Sequence, residues 1–122
     1  MARIFIVEDE ILIVEDLKNK LRRLGHTVVA YATSGEAAVH KVKETKPELV
    51  LMDVRLRGEM NGIEAVRRIR EALDVPVVYI TAHAKAVADI IGAQRQQFCL
   101  TKPFTVGQLE SVIAVACNTE AC

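Results

Sequence analysis

The apolar residues of this chain fall into two patterns. In the first they run without interruption. Leu49-Val50-Leu51-Met52 is one such run, and it stops at Asp53. Ile4-Phe5-Ile6-Val7 is a second, followed by Glu8-Asp9-Glu10. Val77-Val78-Tyr79-Ile80 ends in Thr81, and Phe98-Cys99-Leu100-Thr101 leads into Lys102-Pro103. The stretch from Thr27 to Ala32 is β-branched and apolar. Runs without polar alternation read as strands covered on both faces, as in a parallel sheet between helix layers.

In the second pattern apolar residues recur every three or four positions, the period of an amphipathic helix. Val14, Leu17, Leu21 and Leu24 form one such stripe, and Gly25 supplies its C-terminal stop. Ser34 is placed to cap a helix reaching about Thr45, with Glu36 favourable in the first turn. Lys46-Pro47 breaks that helix. Asn61-Gly62-Ile63-Glu64 reads as a capping box. The helix it opens carries Ile63, Val66, Ile69 and Leu73, and Asp74 and Pro76 end it. Ala84 to Ala93 predicts a weaker helix interrupted by Gly92. Thr105-Val106-Gly107-Gln108 is another capping box, and the last helix should bury Leu109, Val112, Ile113 and Ala116.

Strand and helix therefore alternate along the whole chain, with short links. That predicts an α/β fold with a parallel sheet and right-handed crossovers. The pattern leaves the strand order open. The 122 residues suit one domain spanning 1–122. With 51% hydrophobic but only 4% aromatic residues, the core must be aliphatic. Sixteen basic and sixteen acidic side chains cancel, so no nucleic-acid surface is expected. No run approaches the ~20 residues of a membrane span, and Met1-Ala2-Arg3-Ile4 leaves no room for a signal peptide. Cys99, Cys117 and Cys122 lack metal-ligand spacing and read as thiols of a reduced, cytoplasmic protein.

The strand ends carry the chemistry. In a parallel sheet all carboxyl ends share one rim, so Glu8-Asp9, Asp53, Thr81 and Lys102 can converge there. Carboxylates brought to ~4 Å repel by about 4 kcal/mol per pair at an effective dielectric near 20. Such a cluster needs cations. Lys102 is one. A divalent ion is another, and carboxylates without His or Cys favour Mg²⁺ over Zn²⁺.

This motif set resembles the receiver domain of two-component response regulators. The match covers essentially the whole chain: an acidic pair after the first strand, Asp53 after the third, Thr81-Ala82 after the fourth, Lys102-Pro103 after the fifth, and Asn61-Gly62-Ile63-Glu64 at the third helix. The resemblance implies a doubly wound, flavodoxin-like sheet of order 2-1-3-4-5 flanked by five helices. It implies that Asp53 accepts a phosphoryl group from phosphohistidine. It assigns Mg²⁺ to Asp9, Asp53 and the backbone carbonyl of Arg55, with Glu8 acting through water. Thr81 and Lys102 would hold phosphoryl oxygens, and the Lys102-Pro103 bond would be cis. The partner would be a histidine kinase or a four-helix histidine phosphotransfer domain. Consecutive apolar Ile11, Leu12 and Ile13, together with the Pro103-Phe104 loop, offer it a docking face. The receiver would be a monomer or weak homodimer.

The sequence also departs from the family pattern. The loop from Asp53 to Gly62 is one residue longer than usual, with Arg57 where Pro is common, and Arg55 stands where attacking water would pass. The position three before Lys102, usually aromatic, is Cys99, and Phe98 should face the opposite side of the sheet. Rival readings are weaker. A dehalogenase-like phosphatase would need an acid where Arg55 stands. A nucleotide binder would not place Glu8-Asp9-Glu10 against phosphate. The remaining alternative is a receiver-like interaction module that works without phosphorylation, to which Cys99 lends some weight.

Overall fold

Long apolar runs have to be covered on both faces, and here they pair with one another under two helix layers. The computed structural model describes residues 1–92 and 98–120. Among them the elements alternate as β1 (Arg3–Val7), α1 (Ile11–Arg23), β2 (Thr27–Ala32), α2 (Gly35–Thr45), β3 (Leu49–Asp53), α3 (Gly62–Arg70), β4 (Val77–Thr81), α4 (Ala84–Ile91), β5 (Cys99–Thr101) and α5 (Val106–Glu120). The strands form one parallel sheet in the order β2-β1-β3-β4-β5. No helix among the described residues is long and apolar enough to cross a membrane.

Side chains alternate across the sheet and divide the core in two. Ile4, Ile6, Leu49, Leu51, Val78, Ile80 and Leu100 face α1 and α5, meeting Val14, Leu17, Leu21, Leu109, Val112, Ile113 and Ala116. Phe5, Val7, Val50, Met52, Val77 and Tyr79 face Ala38, Val42, Ala65, Val66, Ile69 and Val87 of α2, α3 and α4. Each fully buried aliphatic side chain here contributes about 1.5–3 kcal/mol. Covering both faces holds the strand ends rigid, and the rim residues inherit that rigidity.

The chain order decides where the rim opens. From β1 the chain goes to β2 on one side, and β3 lies on the other. This reversal leaves a crevice above the carboxyl ends of β1 and β3. Glu8, Asp9 and Asp53 stand there.

Local signals account for most helix boundaries. Ser34 Oγ accepts from Ala37 N–H at 3.1 Å at the start of α2. Thr105 and Gln108 cap α5 reciprocally, at 2.8 and 3.1 Å. Gly25, just past α1, has φ +87°, the left-handed stop that glycine adopts most readily. The third helix departs from expectation. Asn61 Oδ1 accepts from Glu64 N–H at 2.9 Å, but the Glu64 carboxylate goes to Arg67 and Arg68 and leaves the box half made. α3 ends at Arg70, and Leu73 packs on the core from beyond it. Gly92, at φ +110°, ends α4 at Ile91 and does not interrupt it. Phe98 precedes β5. Of the cysteines read as thiols, Cys99 is free and Cys117 is disulfide-bonded. Ala93 and Cys122 lie outside the described residues.

Gly62 has a role the capping box does not reveal. A β-carbon there would collide with the Asp53 carbonyl oxygen and crowd Val54 Cα at 2.8 Å. Glycine therefore lets α3 start directly against the end of β3. Gly62→Ala should lower stability by about 1–3 kcal/mol through overpacking. Asn61→Ala, which removes only the cap, should cost about 1 kcal/mol. Urea unfolding of both variants checks the ranking.

Candidate functional site

Alternation along β1 and β3 carries the first acids into place. Glu8 follows Val7 and Asp53 follows Met52, so both continue the face that Ile6 and Leu51 share. Glu8 is 1% exposed and Asp53 4%. Buried carboxylates at one crevice demand a counter-charge. Lys102, one residue past β5, supplies it. Its Nζ lies 3.4 Å from Glu8 Oε2 and 3.4 Å from Asp53 Oδ2. The Lys102 N–H donates to the Thr81 carbonyl at 2.9 Å, which ties that reach to β4. The Lys102-Pro103 peptide is cis.

Backbone amides complete the arrangement. Arg55 N–H donates to Asp53 Oδ1 at 3.2 Å, and Glu10 N–H donates to Glu8 Oε1 at 3.2 Å. His83 N–H donates to Thr81 Oγ1 at 3.0 Å, which orients the hydroxyl at the end of β4. Asp9, Glu10, Asp53, Arg55, Arg57, Thr81, Ala82 and Lys102 surround one cavity of about 300 Å³. Glu8 is joined to this cavity through its 3.4 Å contact with Lys102 Nζ. All the residues predicted for the site are thus brought together: Asp53, Thr81, Lys102, Glu8, Asp9 and Arg55.

The electrostatics show a shortage of positive charge. Burial pushes the Glu8 carboxyl up to about 8, and a hydrogen bond to Asp53 and its negative charge add to the rise. Lys102 and the Glu10 amide oppose it without prevailing. Burial pulls the Lys102 ammonium down, but Asp53 and Glu8 outweigh that and hold it above its usual value. Oxygen atoms of Glu8, Asp9 and Glu10 lie within 4.8 Å of one another. An all-oxygen donor set short of positive charge suits a hard divalent cation.

One participant was not anticipated: Glu10 joins the rim, although it was visible in the acidic run. Arg57, expected with Arg55 to tune the lifetime of an acyl phosphate, makes a contact that was not foreseen and reaches Asp9, its Nε 3.5 Å from Oδ2. No local spacing foretells that pair, because it joins loops 48 positions apart in sequence, 57 − 9. Cys99 stands apart from the site. It pairs with Tyr79 across β4 and β5 and packs on the α2–α4 side, whereas Phe98 is buried on the α1–α5 side. Burial pushes the Cys99 thiol up, which makes it a poor nucleophile.

A family model described as the response regulator receiver domain matches residues 4–114. The phyllosphere-induced regulator PhyR of Methylorubrum extorquens is 34% identical over 118 residues, covering 94% of this chain and 43% of that protein. The transcriptional regulatory protein PdtaR of Mycobacterium tuberculosis is 35% identical over 117 residues, covering 93% of this chain and 56% of that protein. The solution NMR structure of the Erythrobacter litoralis PhyR response regulator REC domain is similar at a TM-score of 0.84 and 32% identity, covering 99% of this chain and 93% of that one. The chain spans about half the length of the curated relatives it matches. The sheet order, the acidic crevice and these likenesses agree, and the chain belongs to the response regulator receiver domain family.

Proposed function

We propose that this receiver takes a phosphoryl group from a phosphohistidine onto Asp53, with Mg²⁺, in two-component signalling in the cytoplasm. The observation that carries the reading is Lys102 Nζ lying 3.4 Å from both Asp53 and Glu8, in a crevice that Thr81 also lines. Asp9, Asp53 and the Arg55 carbonyl would hold Mg²⁺, with Glu8 acting through water. When bound, it supplies two positive charges against the carboxylates and the phosphoryl oxygens.

The chain's own residues do the rest. A carboxylate oxygen of Asp53 attacks phosphorus in line, the phosphorus–nitrogen bond breaks, and the leaving imidazole keeps the electron pair and takes up a proton. Phosphoryl transfer needs positioning and charge neutralisation more than acid–base groups. Lys102 pairs with one equatorial oxygen as a point charge. The Thr81 hydroxyl donates to another. Water later attacks the acyl phosphate, releases inorganic phosphate and restores Asp53. Arg55, exposed at the cavity mouth, is placed to hinder that water.

The donor must dock beside the crevice. Ile11 is 48% exposed and Leu12 83%, whereas Ile13 packs on the core. Lys20 Nζ stands 5.1 Å over the Phe104 ring and fixes the loop after β5 against α1. These residues offer an apolar face to a histidine kinase or histidine phosphotransfer domain.

Acetyl phosphate with Mg²⁺ should add one phosphoryl mass by intact mass spectrometry. Asp53→Asn or excess chelator should abolish it, and undiminished labelling in either would refute the assignment. In chelator, the Glu8 proton is held more tightly folded than unfolded. Its stabilisation is full below about 4.5 and is lost as pH rises through about 8. Urea midpoints should therefore fall over that range, and Glu8→Gln should flatten the decline. Ile11→Asp should slow transfer from a phosphohistidine protein at least ~10-fold, as for a lost interface anchor. It should leave labelling by acetyl phosphate unchanged.

A further inference from the structure

The Arg57–Asp9 pair joins the loop after β3 to the end of β1 at the edge of the crevice. Arg57 Nε lies 3.5 Å from Asp9 Oδ2, with the Arg57 side chain 81% exposed and that of Asp9 14% exposed. Both line the cavity that holds Asp53, Thr81 and Lys102. Gly58, next in the chain, has φ +96°, a turn glycine adopts readily. We propose that Arg57 is an intramolecular counter-cation that competes with the divalent cation for Asp9 and so sets how much Mg²⁺ the receiver needs. The inference rests on the Mg²⁺-dependent reading of the crevice.

The guanidinium is always charged and gives Asp9 a partner when no metal is bound. A carboxylate oxygen committed to that partner is not free to bind a metal. The pair is also weak enough to yield. An exposed ion pair shifts an equilibrium by no more than about fivefold, while a divalent ion also engages Asp53. Arg57 therefore acts as a displaceable competitor, one that raises the cation concentration required without blocking the site. Arg55 provides an internal comparison. It carries the same charge at the same cavity, yet among the described residues its side chain makes no ion pair, and its backbone N–H serves Asp53.

Calorimetric titration of the unphosphorylated protein with MgCl₂ tests this directly. Arg57→Ala should tighten Mg²⁺ binding about two- to fivefold. Arg57→Lys, which keeps the charge, should stay closer to the parent, and Arg55→Ala should tighten it less than Arg57→Ala does. An Arg57→Ala affinity equal to the parent's overturns the inference. So does equal tightening in both alanine variants, which would reduce the effect to the general field of the loop. Asp9→Asn separates the two levels of argument. If the parent binds Mg²⁺ and Asp9→Asn weakens it, the crevice reading stands and only the role of Arg57 is decided by the other variants. If the parent binds no Mg²⁺, or Asp9→Asn binds as the parent does, both readings fall together.

Discussion

Two carboxylates on adjacent strands, Glu8 and Asp53, are held almost out of water and share one ammonium. The site depends on that arrangement. Left to themselves, the acids would repel each other and each would lose hydration that nothing replaced. Lys102 reaches them from beyond β5, across the crevice, and breaking such a pair typically costs about 3–5 kcal/mol. Its partial exposure, 29% of the side chain, lowers that figure. The remaining imbalance appears as the raised Glu8 carboxyl.

Such an arrangement requires rigid supports. Glu8 and Asp53 are fixed because the residues before them, Ile4–Val7 and Leu49–Met52, are buried on both faces of the sheet. Gly62 lets α3 begin against the Asp53 carbonyl, and Gly62 N–H donates to the Val54 carbonyl at 2.9 Å. The two loops that meet over the pocket therefore start from well-packed strand ends, and Glu10 on one and Arg55 and Arg57 on the other are exposed.

Much of this was legible in the residues, for identifiable reasons. Uninterrupted apolar runs have few alternatives to a covered parallel strand, so Asp53, Thr81 and Lys102 could be placed on one rim from their positions alone. Capping was legible where nothing competed. Thr105 and Gln108 close on each other, whereas Glu64 has Arg67 and Arg68 one turn on and abandons Asn61. The strand order came from the family resemblance, because apolar runs do not say which neighbour they choose. The Arg57–Asp9 pair was not legible because it joins loops far apart in sequence, and the close approach at Gly62 was not because it depends on how the loop after β3 folds back on the strand end.

The alternation on β5 limits how phosphorylation could be reported. Phe98 packs on the α1–α5 side and Cys99 on the other, so no ring on β5 faces the α4 side at the position the family usually uses. The ring on that side belongs to β4. Tyr79 pairs with Cys99 and stands two residues before Thr81, on the same face. It is 5% exposed, and with Val66 of α3 and Ile90 and Ile91 of α4 it lines one groove. The thiol fills a small volume beside this ring. A conventional ring rotation from β5 would need Phe98 to cross the sheet, a one-residue slip that would reverse every side chain of that strand. Burial of Leu100 between α5 and the sheet opposes such a slip. The ring that shares a face of the sheet with Thr81 is therefore the one on β4.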